Sequence, residues 1–289
     1  MSKLKAVKPK EAKQRKAKIL VYGRSGVGKT WCALDFPAVY YIDTEGGATE
    51  KRYVDKLEKA GGVYLGVEEG SQDFAEIIEQ VKALGTEKHP YKTLVIDSIS
   101  KIYNMEIANE MERLGDKDQF GASKKPAIQY TRKLINWLEK IDMNVILISH
   151  EKALWKNGEQ AGETFDAWDK LEYELDLSLQ IKKIGADNRK AYVKKSRLEA
   201  FPEASNFIWS YEEFAEKFGK DVIEGEITQI ELATEEQVEK VNALLEIVKV
   251  ADDFEAKCFK KAACEAWNEM ESERIAKVIE HLEKIKKGE

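Results

Sequence analysis

A glycine-rich segment near the start of the chain has the residue types needed to hold a triphosphate. It fits the pattern G-x-x-x-x-G-K-[ST], in which glycines let backbone N–H groups approach phosphate oxygens closely. In this pattern Lys29 is expected to reach the β- and γ-phosphates, and the Thr30 hydroxyl to ligate Mg²⁺. The sequence therefore predicts a P-loop that binds ATP with Mg²⁺. The predicted nucleotide-binding residues are Gly23, Arg24, Ser25, Gly26, Val27, Gly28, Lys29 and Thr30.

Two carboxylates that follow apolar runs could complete the chemistry of ATP hydrolysis. Asp97 ends such a run, and an aspartate there can hold the Mg²⁺ shell, although aspartates in this position also serve as helix N-caps. Glu45 follows an earlier run and could orient and deprotonate the attacking water, with a solvated loop glutamate as the simpler alternative. Asp43 is the competitor for that role. We predict Thr30 and Asp97 as metal ligands and Glu45 as the catalytic base.

Three further polar residues lie where they could sense or stabilise the γ-phosphate. His150 follows another apolar run, although a lone histidine is often simply a hydrogen-bonded residue. Lys195 and Arg197 are two positions apart on an alternating segment, so their side chains point to one face of a strand. Such a pair could reach the γ-phosphate of a neighbouring subunit, or it could be a solvated edge that blocks aggregation.

The elements that must position these residues alternate between strands and helices. Short apolar runs predict strands that are buried on both faces, and helices are expected between them. The predicted strands are Ile19–Tyr22, Val39–Ile42, Thr93–Ile96 and Val145–Ile148. The predicted helices include one capped by Ser71 that ends before Gly85, one over Lys101–Leu114 and one from Pro126 to about Ile141.

Polar and alternating segments complete this pattern. Gly115–Lys125 and Lys152–Phe165 are predicted to be polar loops. Leu175–Ile181 and Arg189–Lys195 alternate on either side of a turn at 185–188, which predicts a hairpin. The fold class is therefore α/β, with a mostly parallel central sheet and an antiparallel edge hairpin.

The chain is predicted to have three parts. Residues 1–17 are rich in lysine and poor in large apolar residues, which predicts a basic disordered arm without a secretory signal. Residues 18–225 form the core, and residues 226–289 form a small helical domain that opens on a capping box at Thr234. Three cysteines at no metal or disulfide spacing, and no apolar run long enough to span a membrane, predict a cytoplasmic protein.

In this order, the motifs resemble those of the RecA-like ATPase core. Ile42–Glu45 resembles the segment that carries the family's catalytic glutamate, and Val95–Ser98 resembles its Walker B strand. Ser149–His150 lies where the family has a polar switch residue, usually an amide, and Lys195–Arg197 resembles its trans-acting fingers. The resemblance covers about residues 18–205. It implies a RecA-like P-loop NTPase that forms a homo-oligomer with ATP at the subunit interfaces.

More narrowly, the chain resembles the short phage ATPases that are related to single-strand annealing recombinases. In RecA-like recombinases two loops hold single-stranded DNA, and the corresponding segments here contain cations and an aromatic residue, which suit phosphate neutralisation and base stacking. Solvated linkers are the alternative for both segments. The candidate DNA-binding residues are Lys117, Lys124, Lys125, Lys152, Trp155 and Lys156.

We therefore expect an Mg²⁺-dependent ATPase that acts on single-stranded DNA in phage-type recombination, annealing or repair, in the cytoplasm of a bacterial host. The first rival is an ATP-dependent switch or loader that binds a protein partner through residues 226–289. A small-molecule kinase is the second rival, but no arginine-rich lid is evident. The chain departs from RecA itself because only about 17 polar residues precede the core, so filament formation is not implied. The net charge of -6 argues neither for nor against a polyanionic partner.

Overall fold

A computed structural model describes residues 14–119, 121–185 and 188–287. The strands within these ranges are β1 (Lys18–Gly23), β2 (Val39–Asp43), β3 (Val63–Leu65), β4 (Thr93–Asp97), β5 (Asn144–Lys156), β6 (Glu159–Phe165), β7 (Leu177–Ile184), β8 (Asn188–Ser196) and β9 (Asn206–Ile208). They form one sheet in the order β3-β2-β4-β5-β1-β7-β8-β9, and β6 pairs with β5.

The centre of this sheet is parallel and apolar. β1 and β4 are buried along their whole length, as expected for strands that are covered on both faces. The pairings from β3 across to β7 are parallel, whereas β7, β8 and β9 pair antiparallel. The predicted mostly parallel sheet with an antiparallel edge is confirmed. The carboxyl ends of β1, β2 and β4 consequently meet at one edge, with β5 passing between β1 and β4.

Helices connect and follow the strands. They are α1 (Lys29–Ala33), α2 (Lys51–Lys59), α3 (Phe74–Thr86), α4 (Ile99–Leu114), α5 (Lys124–Lys140), α6 (Leu171–Glu174), α7 (Tyr211–Phe218), α8 (Lys220–Glu224), α9 (Glu235–Ile247), α10 (Phe254–Ala262) and α11 (Ser272–Lys287). Short 3₁₀ turns lie at Gly115–Lys117 and Trp267–Glu269. Across the described ranges, no helix has the length and apolar character that a bilayer crossing needs.

The chain divides into two compact units. The first consists of the described residues up to Ile77 together with Pro90–Thr131 and Asp142–Ile227, and it contains the sheet. The second consists of Ile78–His89, Arg132–Ile141 and the residues from Thr228 onward. Its core lies around α9, α10 and α11, and the Thr234 hydroxyl caps α9 in the predicted capping box. The second unit thus includes most of α3 and the second half of α5 as well as the C-terminal helices.

Most of the predicted basic arm, residues 1–13, lies outside the described residues. Gln14 and Lys16, which were assigned to the arm, instead contact the first unit. The Lys16 ammonium donates to the carbonyl oxygens of Gly225 (3.0 Å) and Glu226 (2.8 Å), and the side chain is buried. The two carbonyl oxygens take the place of water around the Lys16 ammonium, which the sequence pattern predicted to be exposed.

The prediction of a polar loop over Lys152–Phe165 is wrong. β5 continues to Lys156 and turns back through Asn157 and Gly158 into β6. Both turn residues have positive φ (53° and 84°), which suits a two-residue hairpin and is the known preference of the dipeptide Asn-Gly. Lys152, Trp155 and Lys156 are therefore on a strand.

Two helix starts also differ from the prediction. α5 begins at Lys124, so Lys124 and Lys125 are helical; Pro126 is tolerated because the N–H groups of a first turn have no intrahelical partner. α3 begins at Phe74, where Asp73 accepts from the backbone N–H groups of the first turn, and Ser71 instead donates to the Asp43 carbonyl. Two predictions fall partly outside the described residues. The predicted Gly115–Lys125 loop contains residue 120, and the predicted turn at 185–188 contains residues 186 and 187; these three residues are not described.

Candidate nucleotide-binding and catalytic site

The phosphate loop joins the buried strand β1 to helix α1. Gly26 and Gly28 have φ values of 75° and 89°, a left-handed backbone that favours glycine. α1 begins at Lys29 and has no side-chain cap, so the N–H groups of its first turn can donate to phosphate oxygens. The loop therefore has the backbone geometry that its sequence pattern requires.

Lys29 is held inside this loop. Its ammonium donates to the carbonyl oxygens of Gly23 (2.8 Å) and Arg24 (3.0 Å), and the side chain is buried. Burial lowers the pKa of Lys29 from its ordinary value, and the neighbouring Asp97 carboxylate acts in the opposite direction. A buried cation in this place offers strong attraction to an incoming phosphate.

Asp97 ends β4 and contacts the first turn of α1. Its carboxylate accepts a short hydrogen bond from the Thr30 hydroxyl. Burial raises the pKa of Asp97 to about 6, and the Thr30 hydrogen bond and Lys29 act in the opposite direction. A hydroxyl beside a carboxylate is an oxygen donor pair that suits Mg²⁺, which usually takes its remaining ligands from water and substrate phosphates. The residues present fit a magnesium–nucleotide site.

Glu45 is the second carboxylate at this edge, and two side chains hold it. Ser98 Oγ donates to Glu45 Oε1 at 2.6 Å, and His150 Nε2 lies 3.2 Å from the same oxygen. The hydrogen bond from His150 lowers the pKa of Glu45 to about 2. The same bond raises the pKa of His150 above its ordinary value. Glu45 is therefore ionised at neutral pH, as a general base must be.

Asp43, the competing carboxylate, has a different environment. It is 1% exposed and accepts from the backbone N–H groups of Glu45 (3.1 Å), Gly46 (3.1 Å) and Ala48 (2.6 Å). These bonds fix the turn that follows β2 and so place the Glu45 side chain. Asp43 is suited to fixing the turn that follows β2, whereas Glu45 is suited to binding the attacking water molecule.

These groups line one cavity of about 540 Å³. Its walls include Gly28–Thr30 of the loop, both Glu45 and Asp97, and His150. The structure therefore brings five of the eight predicted loop residues together with Glu45, Asp97 and His150, which come from four separate segments of the chain. The five loop residues are Ser25, Gly26, Gly28, Lys29 and Thr30. A volume of this order is typical of small-molecule sites.

An aromatic and basic cluster on the same cavity was missed in the sequence. Trp31 and Tyr53 have ring centroids 6.2 Å apart, the Arg52 guanidinium lies 4.7 Å from the Tyr53 ring, and the Lys56 ammonium lies 3.8 Å from the Trp31 ring. Trp31, Arg52 and Tyr53 line the cavity. The exposed tryptophan directly after the phosphate motif was the available signal, but α2, which carries the other three residues, was not predicted.

Arg189 also lines the cavity and was not predicted. A Cβ atom placed on Gly28 would lie 2.2 Å from Arg189 Nε and 2.6 Å from its Cδ, so this side chain lies directly against the loop. The sequence did contain a signal for this residue. Arg189 is at alternate positions with Ala191 and Val193, which are apolar and buried, so an arginine in this row of the strand is unexpected.

A comparison with protein families decides what kind of core this is. The AAA domain family matches residues 15–204, well over half of the chain. The chain belongs to the AAA domain family. Among solved structures, this AAA domain is similar to the crystal structure of the RadB recombinase, with 19% identity, a TM-score of 0.47, and coverage of 67% of this chain and 86% of that chain. No curated protein matches the chain.

Lys195 and Arg197 do not line the cavity of their own AAA domain. The Lys195 ammonium donates to the Leu175 carbonyl, and the Arg197 guanidinium donates to the Tyr173 carbonyl. Burial lowers the pKa of Lys195. The structure thus brings the two predicted fingers together with each other but not with the P-loop of the same chain.

The candidate DNA-binding residues of the AAA domain lie in two places. Lys117, Lys124 and Lys125 are exposed around the start of α5. On the β5–β6 hairpin, Trp155 is 64% exposed, whereas the Lys152 ammonium lies 3.4 Å from Asp166 and 3.7 Å from Asp169. Lys152 is therefore partly neutralised within the chain.

Proposed function

We propose that this protein is an Mg²⁺-dependent ATPase that acts on single-stranded DNA in phage-type recombination, annealing or repair. One observation carries the proposal: the contact between Glu45 and His150. His150 belongs to β5, and β5 continues without interruption into the exposed hairpin that carries Trp155. The candidate base and the candidate DNA surface are therefore joined by a single strand.

The hydrolytic part of the proposal uses residues that surround one cavity. Lys29 would hold the β- and γ-phosphates, and Thr30 with Asp97 would hold Mg²⁺, which neutralises phosphate charge when bound. Glu45 would orient the attacking water and accept its proton. The Trp31–Tyr53 ring pair supplies an apolar surface at which a nucleobase could stack.

The coupling between nucleotide and hairpin would pass through Glu45. In the structure its carboxylate is engaged by Ser98 and His150. A water aligned on the γ-phosphate would compete for the same carboxylate oxygens and weaken the bond to His150. The backbone N–H of His150 donates to Ser100 Oγ (2.8 Å), and that hydroxyl lies 2.9 Å from Ser149 Oγ. A shift at His150 would thus be transmitted along β5.

Single-stranded DNA would be bound by stacking and by phosphate neutralisation. Trp155 offers an exposed ring to a base, and Lys156 beside it offers a charge to the backbone. Lys117, Lys124 and Lys125 would extend the cationic surface. These roles rest on exposure and residue type.

Assembly into a homo-oligomer would give Lys195 and Arg197 a function. Since neither lines the cavity of its own chain, they would act on ATP held by a neighbouring subunit. Lys195→Ala and Arg197→Ala should each lose turnover, and should regain part of it when mixed with Glu45→Gln subunits. Absence of such rescue, at a concentration where mixed oligomers form, would remove the trans role.

The proposal is tested by the ATPase rate measured against protein concentration, with and without single-stranded DNA. We expect the rate per subunit to rise with concentration and to rise further with DNA. The DNA effect should weaken with added salt, because phosphate contacts release counterions. A rate per subunit that is constant, and unchanged by DNA, would overturn the assembly and the DNA role but leave ATP hydrolysis in place.

The alternative is an ATP-dependent switch or loader that binds a protein partner through its C-terminal helices. A cavity of about 540 Å³ on α10 and α11 favours it; Phe254, Met270 and Val278 line it, with Lys261 and Lys277 among its charged residues. Lys277→Glu should weaken a partner held there and leave DNA binding intact. Loss of DNA binding by the same substitution would count against the alternative.

A further inference from the structure

The β7–β8 hairpin brings an arginine to the phosphate loop by topology. β7 pairs in parallel with β1, and β8 pairs antiparallel with β7, so the start of β8 lies at the carboxyl end of β1. Arg189 is the second residue of β8 and pairs with Lys183 of β7. Two positions before Lys183, the carbonyl of Ile181 lies beside Gly23, the first residue of the P-loop. Its own carbonyl accepts from the N–H of Trp209 at 2.9 Å. The backbone of Arg189 is therefore held in the sheet close to the P-loop.

The direction of the side chain follows from strand alternation. Arg189, Ala191 and Val193 point to one face of β8, and the latter two are buried in the core that also contains Val27 and Cys32. An arginine in this row is unusual because its same-face neighbours, Ala191 and Val193, are apolar and buried. The side chain runs against Gly28, where any larger residue would collide with it.

We propose that Arg189 is a nucleotide-binding residue that contacts the α- and β-phosphates of the nucleotide held by its own chain. The proposal rests on the assignment of the cavity as an ATP site. Backbone N–H groups of a P-loop cradle the α- and β-phosphates, and Arg189 lies against the last glycine of that loop and lines the same cavity. A guanidinium is always charged and can bind phosphate through two parallel N–H donors.

This role differs from that of the other cations around the sheet edge. Lys195, on β8, and Arg197, directly after the end of β8, donate to main-chain carbonyls and do not line the cavity. Lys29 would serve the β- and γ-phosphates. Arg189 would thus add a contact that ATP and ADP share, made within one chain and independent of assembly.

The test is the affinity of the full-length protein for ATP and for ADP, measured by calorimetry in the presence of Mg²⁺. In Arg189→Met, which keeps the long stem but removes the charge, both affinities should fall about 10- to 100-fold, as for loss of a charged hydrogen bond. Because ATP and ADP share the contacted phosphates, the ratio of the two affinities should stay near the wild-type ratio. Arg189→Gln should show the same loss and serves if the Met variant fails to fold.

The matched control is Lys190→Ala, which removes a cation from the next position of β8, on the opposite face. It should bind both nucleotides as the wild type does. Affinities within about twofold of wild type in the Arg189 variants, or an equal loss in Lys190→Ala, would overturn the inference. If the wild type binds neither nucleotide, the proposed function fails as well; if it binds both without hydrolysing ATP, only the hydrolytic role fails.

Discussion

The phosphate cavity and the β5–β6 hairpin show opposite ways of presenting polar side chains. In the cavity, Lys29 and Asp97 are buried, and each has a short-range partner inside the chain. On the hairpin, Trp155 and Lys156 face solvent. Buried polar groups must be hydrogen-bonded, so their geometry is determined before any ligand arrives. Exposed side chains can change conformation when a ligand binds. Their geometry in the free protein therefore says less about the identity of the ligand.

The largest effect should come from removing the buried cation of the cavity. Lys29→Ala should abolish measurable ATP turnover and strongly weaken ATP binding, because the other cation of the loop, Arg24, has an exposed side chain and does not line the cavity. Turnover by a coupled assay and binding by calorimetry are the measurements. Lys59→Ala, which removes an exposed lysine at the end of α2, is the control and should behave as the wild type. Normal turnover in Lys29→Ala would mean that the cavity is not the catalytic site.

The next largest effect should separate binding from chemistry. Glu45→Gln keeps the size of the side chain and a hydrogen-bonding oxygen but cannot accept the proton of water. We expect ATP affinity close to wild type and a fall in turnover on the order of 10²-fold or more. If turnover is normal, the catalytic assignment is wrong and Asp43 must be tested in its place, despite its three backbone donors.

A smaller effect should appear on the hairpin. Trp155→Ala should weaken single-stranded DNA binding about tenfold, the loss expected for one stacked base. Fluorescence anisotropy with a labelled oligonucleotide measures it. Tyr64→Ala is the matched control, since it removes another exposed aromatic ring, on β3. Equal affinities for the two variants and the wild type would show that this exposed surface serves a different ligand.

The smallest effect concerns the link between the two regions. The carboxylate of Glu45 raises the pKa of His150, so Glu45→Gln should lower that pKa, as read from the imidazole resonances in an NMR titration. In the wild type the pair should stabilise the fold fully between the ordinary pKa values of glutamate, 4.5, and histidine, 6.5. Its contribution should be lost as pH falls through the lowered pKa of Glu45, about 2, and as pH rises through the raised pKa of His150. An unchanged His150 titration would break the proposed link.

The sequence predicted the strands that carry the chemistry because their signals are local. Each of β1, β2, β4 and the first half of β5 is a short apolar run, and the glycines of the loop are needed for its own backbone. The hairpin of β5 and β6 was mistaken for a loop because polarity outweighed the Asn157-Gly158 turn signal. α2 was missed because its segment is largely polar, and β3 because it has only three residues.

The sequence by itself determined the P-loop, the fold class and the candidate roles of Glu45 and Asp97, because each depends on residue type beside a local element. Only the tertiary structure decided which groups meet. It joined Glu45 to His150, placed Arg189 against Gly28, and kept Lys195 and Arg197 out of their own cavity. These relations depend on the order of strands in the sheet, which brings together residues far apart in the chain and which no local pattern encodes.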